Sequence, residues 1–293
     1  MSKNLSKIYI ISWFGKRGDK NRDTRIKQHN TQLDWCFRNE LEVIVFPQDY
    51  DESEKNSKVT YLKNTHDHLL LPAEARNECL KHFYSQPDDF AIIADNDSIL
   101  HEGDQHCDSR DFVDIFNTIP LADLKTIDFF FPINPGKVPF SKTFKELEST
   151  YDRFLIFKRN YDSKGSFAVL KNLKKHYDYE VYYDEVNFVT ENNEMISHED
   201  VDFGIQIAKL GLNCLQLTNI VLKEFAGGNS TWTQARGVSH NTGKEVLATK
   251  HQLPYKDKKI SYKTVNSKYG IREIFVEKPG KTPTHITSLF DNL

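Results

Sequence analysis

Short apolar runs alternate with amphipathic stretches along most of this chain. "KIYIISW" (Lys7 to Trp13) is β-branched and aromatic, which predicts a buried first strand. After the charged loop "GKRGDKNRD", Thr24 to Arg38 places Ile26, Leu33 and Phe37 at near-helical spacing. "EVIVF" (Glu42 to Phe46) predicts a second strand, and this βαβ opening favours a right-handed parallel crossover. Residues 47 to 70 read as polar loop. "PAEARNECLKHFY" (Pro72 to Tyr84) predicts a helix with proline in its first turn.

"DFAIIAD" then predicts a third strand, followed by strands in "DFFFPI" (Asp128 to Ile133), "RFLIFK" (Arg153 to Lys158) and "SFAVL" (Ser166 to Leu170). A helix from Glu199 to Leu210 should end at Gly211, a natural C-cap, with one more strand in "NCLQL" (Asn213 to Leu217). Past about Phe225, glycine, threonine and lysine dilute the pattern. The chain therefore divides into a domain over 1–225 and a basic C-terminal subdomain or lid over 226–293. The expected class is α/β, with a mostly parallel sheet.

Composition fits that picture. The 293 residues are 38% hydrophobic and 28% charged, enough for a substantial core. No apolar run approaches the roughly 18 residues a membrane span needs. The apolar part of "MSKNLSKIYIISWFG" is short for a signal peptide, so the expectation is an intracellular, cytoplasmic protein. Four cysteines, Cys36, Cys79, Cys107 and Cys214, lack any CxxC spacing, which argues against a disulfide framework or a structural zinc site. From Lys244 to Lys281, ten Lys/Arg stand against four Asp/Glu, so a basic segment is attached to an acidic body of a chain with net charge −3.

The candidate chemistry begins at "FAIIADNDSIL", where a buried strand runs into Asp95 and Asp97. In open α/β sheets ligands sit at the carboxyl ends of strands. Two carboxylates one residue apart repel unless a cation or strong donors lie between them. Their oxygens suit Mg²⁺ or Mn²⁺, which in turn binds phosphate oxygens. A plain turn capped by Asp97 is the competing explanation. Later, "ISHEDVDFGIQIAKLG" gathers His198, Glu199, Asp200 and Asp202 at a helix start, where the macrodipole favours negative charge; one of them facing the site would serve as a general base.

The order strand, helix, strand, "ARN" on a helix, apolar-DxD, then "HEDVDFGxxxxxxG" resembles the GT-A glycosyltransferases, over roughly Lys7 to Thr218. The likeness is to their inverting, family-2-like members. It implies a Rossmann-like mixed, mostly parallel sheet flanked by helices, and transfer of a hexosyl or pentosyl group from a nucleoside-diphosphate sugar, by default a UDP-sugar. It also implies a divalent metal at the DxD. Asp95 would lie near ribose and metal, Asp97 would ligate the metal, Asp200 would act as base and Glu199 would place the acceptor. Arg76 and Asn77 would flank the donor nucleotide, and Ser12 and Trp13 would contact its base or ribose. A late histidine would approach metal or diphosphate, His240 in "GVSHNTG" or else His198. Lys16, Arg17, Arg22 and Arg25 are candidate diphosphate neutralisers, or simply a solvated basic loop.

The acceptor stays open between two classes. The lysine-rich style is similar to virulent-phage enzymes, which suggests the T-even phage glycosyltransferases that modify hydroxymethylated or already glucosylated cytosine in DNA. The interleaved lysines and tyrosines after residue 244 would then meet backbone phosphates. A bacterial polysaccharide or lipopolysaccharide transferase is the other. "YDYEVYYDEVNF" is a candidate sugar-stacking surface, or strand and core. Outside transferases, a haloacid-dehalogenase-type phosphatase also runs a strand into DxD, but Ile99 stands where it would need a hydroxyl. A non-catalytic nucleotide-sugar-binding module would share the same pocket.

Overall fold

The computed structural model describes residues 3–100, 112–133, 157–159, 163, 165–224, 234–252, 261–266, 272–277 and 284–285. Strands β1 (Leu5–Trp13), β2 (Glu42–Gln48), β3 (Thr60–Tyr61) and β4 (Phe90–Asp95) form one side of a nine-stranded sheet, all parallel, in the order β3-β2-β1-β4. The order continues through β8 (Phe167–Lys171), β6 (Phe129–Ile133) and β9 (Cys214–Glu224) to β5 (Ser98–Leu100), with β7 (Phe157–Arg159) also on β9. Strand β8 opposes both its neighbours, while β6 and β9 run parallel to each other. Within this sheet only β8 and the three-residue β5 and β7 therefore run against the majority. The mixed, mostly parallel α/β architecture expected from the sequence is present.

Period-two alternation explains the layering. In β1, Tyr9 and Ile11 join one core while Ile8 and Ile10 join the other; Ile44 and Phe46 against Val43 and Val45 repeat this in β2. Helices α1 (Arg22–Arg38) and α3 (Phe112–Thr118) cover one face; α2 (Pro72–Tyr84) and α5 (Glu199–Lys209) cover the other, and α4 (Leu173–Tyr177) contributes Leu173 there. Proline stands in the first turn of α2, and Gly211 follows α5 in the left-handed conformation (φ 76°), both as the sequence predicts.

Several features depart from the sequence reading: α3 and α4 were not expected, and β3 falls within the stretch read as polar loop. The strand begun at Asn213 continues to Glu224, and "SIL" after the aspartates forms β5, which pairs with the far end of β9. An 18-residue helix, α6 (Gln234–His251), occupies the stretch whose pattern looked diluted. Strands β10 (Ser261–Asn266), β11 (Arg272–Glu277) and β12 (Thr284–His285) form a separate antiparallel sheet. Residues 153–156 of the predicted "RFLIFK" strand, Cys107 and much of the basic Lys244–Lys281 segment lie outside the described residues. Cys36, Cys79 and Cys214 are buried, and burial pushes the Cys36 and Cys79 thiols up. Among the described residues no helix is long and apolar enough to cross a membrane.

Candidate functional site

Parallel pairing brings the carboxyl ends of β1, β2 and β4 to one edge: Trp13 lies opposite Gln48, and Ile11 opposite Asp95. Because β8 is antiparallel, its beginning reaches the same edge, where Asp95 donates its backbone N–H to Ser166 O (3.0 Å). Asn96 and Asp97 form the turn between β4 and β5, and Asp95, Asn96 and Asp97 are all partly exposed. Buried Gln32 on α1 braces that turn, donating to Asp95 O and Ser98 O at 2.6 Å each. Asn96 reaches the Trp13 carbonyl (3.5 Å), and Ser98 Oγ donates to Asp97 Oδ1 (3.3 Å).

Arg76 ties this edge to the second acidic motif. Its guanidinium, 3% exposed, donates from Nη2 to Asp95 Oδ1 (2.8 Å) and Oδ2 (3.1 Å), and from Nη1 to Glu199 Oε1 (2.9 Å). The Tyr183 ring lies 5.3 Å from its central carbon and stacks in turn on Phe203 at 4.3 Å. Burial pushes the Asp95 carboxyl up; the Arg76 charge opposes that shift and the Asp200 charge adds to it. Glu199 is pushed up to about 7, first by burial and then by Asp200, against the pull of Arg76. Arg76 itself is held above its ordinary value, Asp95 and Glu199 outweighing burial.

The start of α5 is set by an unusual residue. His198 precedes it at φ 84°, a left-handed backbone that a non-glycine side chain rarely takes. That turn leaves Glu199 buried and Asp200 partly exposed. Asp200 is held on both oxygens: Val201 N–H donates to Oδ1 (2.8 Å) and Gly165 N–H to Oδ2 (3.0 Å), while Ser163 Oγ donates to its carbonyl. Gly165 also lies against Arg76, where a Cβ would stand 2.6 Å from the guanidinium carbon. Arg76 is pinned at both ends and cannot yield cheaply. Gly165→Ala is therefore expected to cost about 1–3 kcal/mol, as overpacking does; denaturant unfolding measures it, and an unchanged midpoint would show that the guanidinium is free to move.

Other sequence candidates divide between the site and its supports. Buried Ser12 accepts a hydrogen bond from Tyr50, and Trp13 Nε1 donates to Asp49 Oδ2 (3.3 Å), with Arg25 stacked 5.0 Å over its ring. Asn77 is buried and clamps the 183–185 segment: it donates to Tyr183 O (2.9 Å) and Glu185 Oε1 (2.6 Å) and accepts from Tyr183 N–H (2.8 Å). His198 and His240 come together with ring centroids 4.1 Å apart. Of the cations in the first loop and the start of α1, Arg17 pairs with Asp51, Arg22 with Glu54 (2.6 Å) and Arg25 with Asp19 (3.0 Å). Sequence reasoning missed Gln32, Ser163 and Gly165, and marked Tyr183 only as part of a candidate sugar-stacking surface or core. Of those missed, only Gln32 left a trace, as a polar residue one position before the apolar Leu33 of α1.

Next to this edge, His29 on α1 is 2% exposed, its ring 5.4 Å from Phe14 and 6.2 Å from Tyr50. Burial holds it down to about 4. Unfolded, it titrates near its ordinary 6.5, so between the two values the unfolded chain binds the extra proton. Stability from this group is complete above pH 6.5 and is lost as pH falls toward 4, on the order of 3 kcal/mol in all. His29→Phe should flatten that part of the profile when unfolding is compared at about pH 4.5 and pH 7.5. An acid loss equal in both proteins would rule out a buried neutral ring.

No protein-family model matches the sequence, and no curated protein does. Among solved structures, the chain is similar to S. aureus TarS 1–349 in complex with UDP-GlcNAc, with 12% identity, a TM-score of 0.50, 85% of this chain covered and 66% of that one. The chain thus spans just under two thirds of that 1–349 chain. A chain from Desulfovibrio desulfuricans G20, named for nucleotide-diphospho-sugar transfer, matches at 11% identity and a TM-score of 0.42, over 87% of this chain and 100% of that one. The first likeness shows the fold. The second is too loose to add to it.

Proposed function

We propose that this chain is a glycosyltransferase that moves a sugar from a nucleoside-diphosphate donor, of the UDP type, to an acceptor hydroxyl. The observation that carries the proposal is the Arg76 bridge. It fixes the end of β4, with its DxD, against the start of α5, with its ED pair, so the two motifs share one partly open edge. The fold shared with TarS, a protein crystallised with UDP-GlcNAc, supports it.

The donor set fits a hard divalent ion. Asp97 offers a partly exposed carboxylate, whereas Asp95 already accepts from Arg76 on both oxygens and retains lone pairs for a metal or ribose. Among the described residues no group of three or more His, Cys, Asp or Glu is placed to hold an ion alone. Asp95 and Asp97 would supply the one or two carboxylates through which magnesium or manganese commonly binds, substrate phosphates and water completing the shell. When bound, the ion would offset charge on the departing diphosphate.

The chain's own groups do the rest. Asp200 takes the proton of the acceptor hydroxyl, whose oxygen bonds to the anomeric carbon from the face opposite the diphosphate. The bond from that carbon to the diphosphate oxygen breaks, and the nucleoside diphosphate leaves with the electron pair. The configuration inverts. Glu199, buried and ion-paired, acts through Arg76 as a positioning residue and does not touch the acceptor. Ser12 and Trp13 border the nucleotide, and His240 or His198 lies toward its diphosphate. A phosphatase would instead need Asp95 as a nucleophile and a hydroxyl two residues after Asp97, where Ile99 stands.

The test is a panel of nucleotide sugars with Mn²⁺, scored by protection against thermal unfolding and then by transfer of labelled sugar. A UDP-sugar at about 100 times its Kd should stabilise the fold by about 2.7 kcal/mol, and Asp97→Ala should abolish the metal-dependent part. Absence of both protection and nucleoside-diphosphate release across the panel would sink the proposal.

A further inference from the structure

We infer that helix α6 positions the base: Gly243 and Ser239 on α6 hold the Met195–His198 approach to α5 and thereby set where Asp200 stands. The inference rests on Asp200 being the base of the proposed reaction. It adds residues far along the chain, beyond residue 225, to the working parts of that site.

The contact is close and has no slack. A Cβ on Gly243 would lie 1.9 Å from the Ser197 carbonyl oxygen and 2.9 Å from His198 Cδ2, so only glycine lets the helix approach this near. Four residues earlier, one turn along the same face, Ser239 Oγ accepts from Ser197 N–H (3.0 Å) and donates to Met195 O (3.1 Å). His240 sets its ring against that of His198. These contacts converge on the residue that carries the left-handed turn, two positions before Asp200. A non-glycine residue persists in such a conformation only when its surroundings over-determine it. Here α6 supplies much of that constraint.

The far end of α6 prevents the helix from backing away. Lys250 Nζ lies 2.8 Å from the Asp202 carboxylate and 2.5 Å from Asp184, and His251 Nε2 lies 2.6 Å from Asp202 Oδ1. Asp202 is wholly buried and belongs to α5, two residues beyond Asp200. The last turn of α6 is thus fastened to the same helix whose entry its middle controls. A Cβ at 243 must then push the Ser197–His198 backbone instead of the helix. Bringing 1.9 Å to an ordinary contact of about 3.4 Å needs a displacement of about 1.5 Å, and misplacement of even about 1 Å in a catalytic constellation costs on the order of 100-fold in rate.

The experiment uses the full chain with Gly243→Ala, Ser239→Ala and Ser239→Thr, measuring kcat, donor KM and histidine NMR spectra. Gly243→Ala should lower kcat on the order of 100-fold with a much smaller rise in donor KM, because Asp95 and Asp97 are untouched while His198, toward the diphosphate, is displaced. In a helix with no such contact, replacing glycine by alanine would instead raise stability and leave kcat as it was. Ser239→Ala, which adds no bulk and serves if Gly243→Ala does not fold, should lower kcat roughly tenfold, and Ser239→Thr should restore most of the loss. Full turnover in the first two variants, or a fall in kcat matched by a rise in donor KM, overturns the inference. Should the wild-type chain transfer no sugar at all, the functional reading fails, and the positional claim is read from the imidazole signals. Gly243→Ala should move those of His198 while exposed His68 keeps its own; an unmoved His198 overturns it.

Discussion

Asp200→Asn should lower kcat by about 10²–10⁴-fold, the range a positioned general base contributes, with donor KM and nucleotide-induced thermal protection retained. The reasoning is local. Asp200 is partly exposed beside the DxD edge, and two backbone N–H groups fix its carboxylate plane. Asparagine fills the same volume but cannot take a proton from a hydroxyl. Its amide nitrogen would also face one of those N–H donors, at a cost of about 1–3 kcal/mol in stability. Activity and unfolding must therefore be measured on the same samples. If kcat survives intact while stability falls, Asp200 is a structural anchor and the base lies elsewhere. Analysis of the product anomer supplies an independent check, since retention of configuration would remove Asp200 from this role.

Lys171→Met should destabilise the fold by about 3–5 kcal/mol, because it strands a buried carboxylate. Lys171 and Asp128 are each 2% exposed. The ammonium uses all three donors, toward Asp128 Oδ1 (2.8 Å), Lys125 O (2.9 Å) and Tyr177 OH (3.1 Å). Asp128 Oδ2 accepts from Asn213 N–H (2.8 Å), joining the starts of β6 and β9. Lys171 pairs with Phe90, the first residue of β4, so the ion pair sits at the edge of the sheet away from Asp95. Catalytic constants below the unfolding transition should therefore match the wild type. Lys171→Met with Asp128→Asn should recover part of the loss, since no uncompensated charge remains. A single variant as stable as the wild type would mean that water reaches Asp128.

Much of the fold was legible because burial on a two-faced sheet imposes period two on its strands, and covering that sheet imposes amphipathic spacing on its helices. Pro72, the Gly211 stop and the run of apolar residues into Asp95 were each visible for that reason. Helix α6 was not. Glycines at 237 and 243 each cost about 1 kcal/mol of intrinsic helix stability, so its formation depends on docking against Ser197 and Asp202. The arginines in and after the first loop carried no sequence signal of their acidic partners. Their number along the chain suggested cations awaiting a diphosphate, whereas Arg17, Arg22 and Arg25 are each turned onto an acidic partner at least six residues away in sequence. Tyr183, one of a cluster of aromatics considered for sugar stacking, lies buried beneath Arg76.

By itself the sequence determined that acidic side chains would close a buried strand and open a later helix, since both follow from local pattern and turn chemistry. Only the tertiary structure decided that a single buried guanidinium would join them, that glycines at 165 and 243 would be points of close approach, and that Glu199 would face inward while Asp200 faces out. The physical reason is that charge pairing and steric contact depend on distances between elements remote in the chain, and a one-dimensional pattern carries no record of those distances.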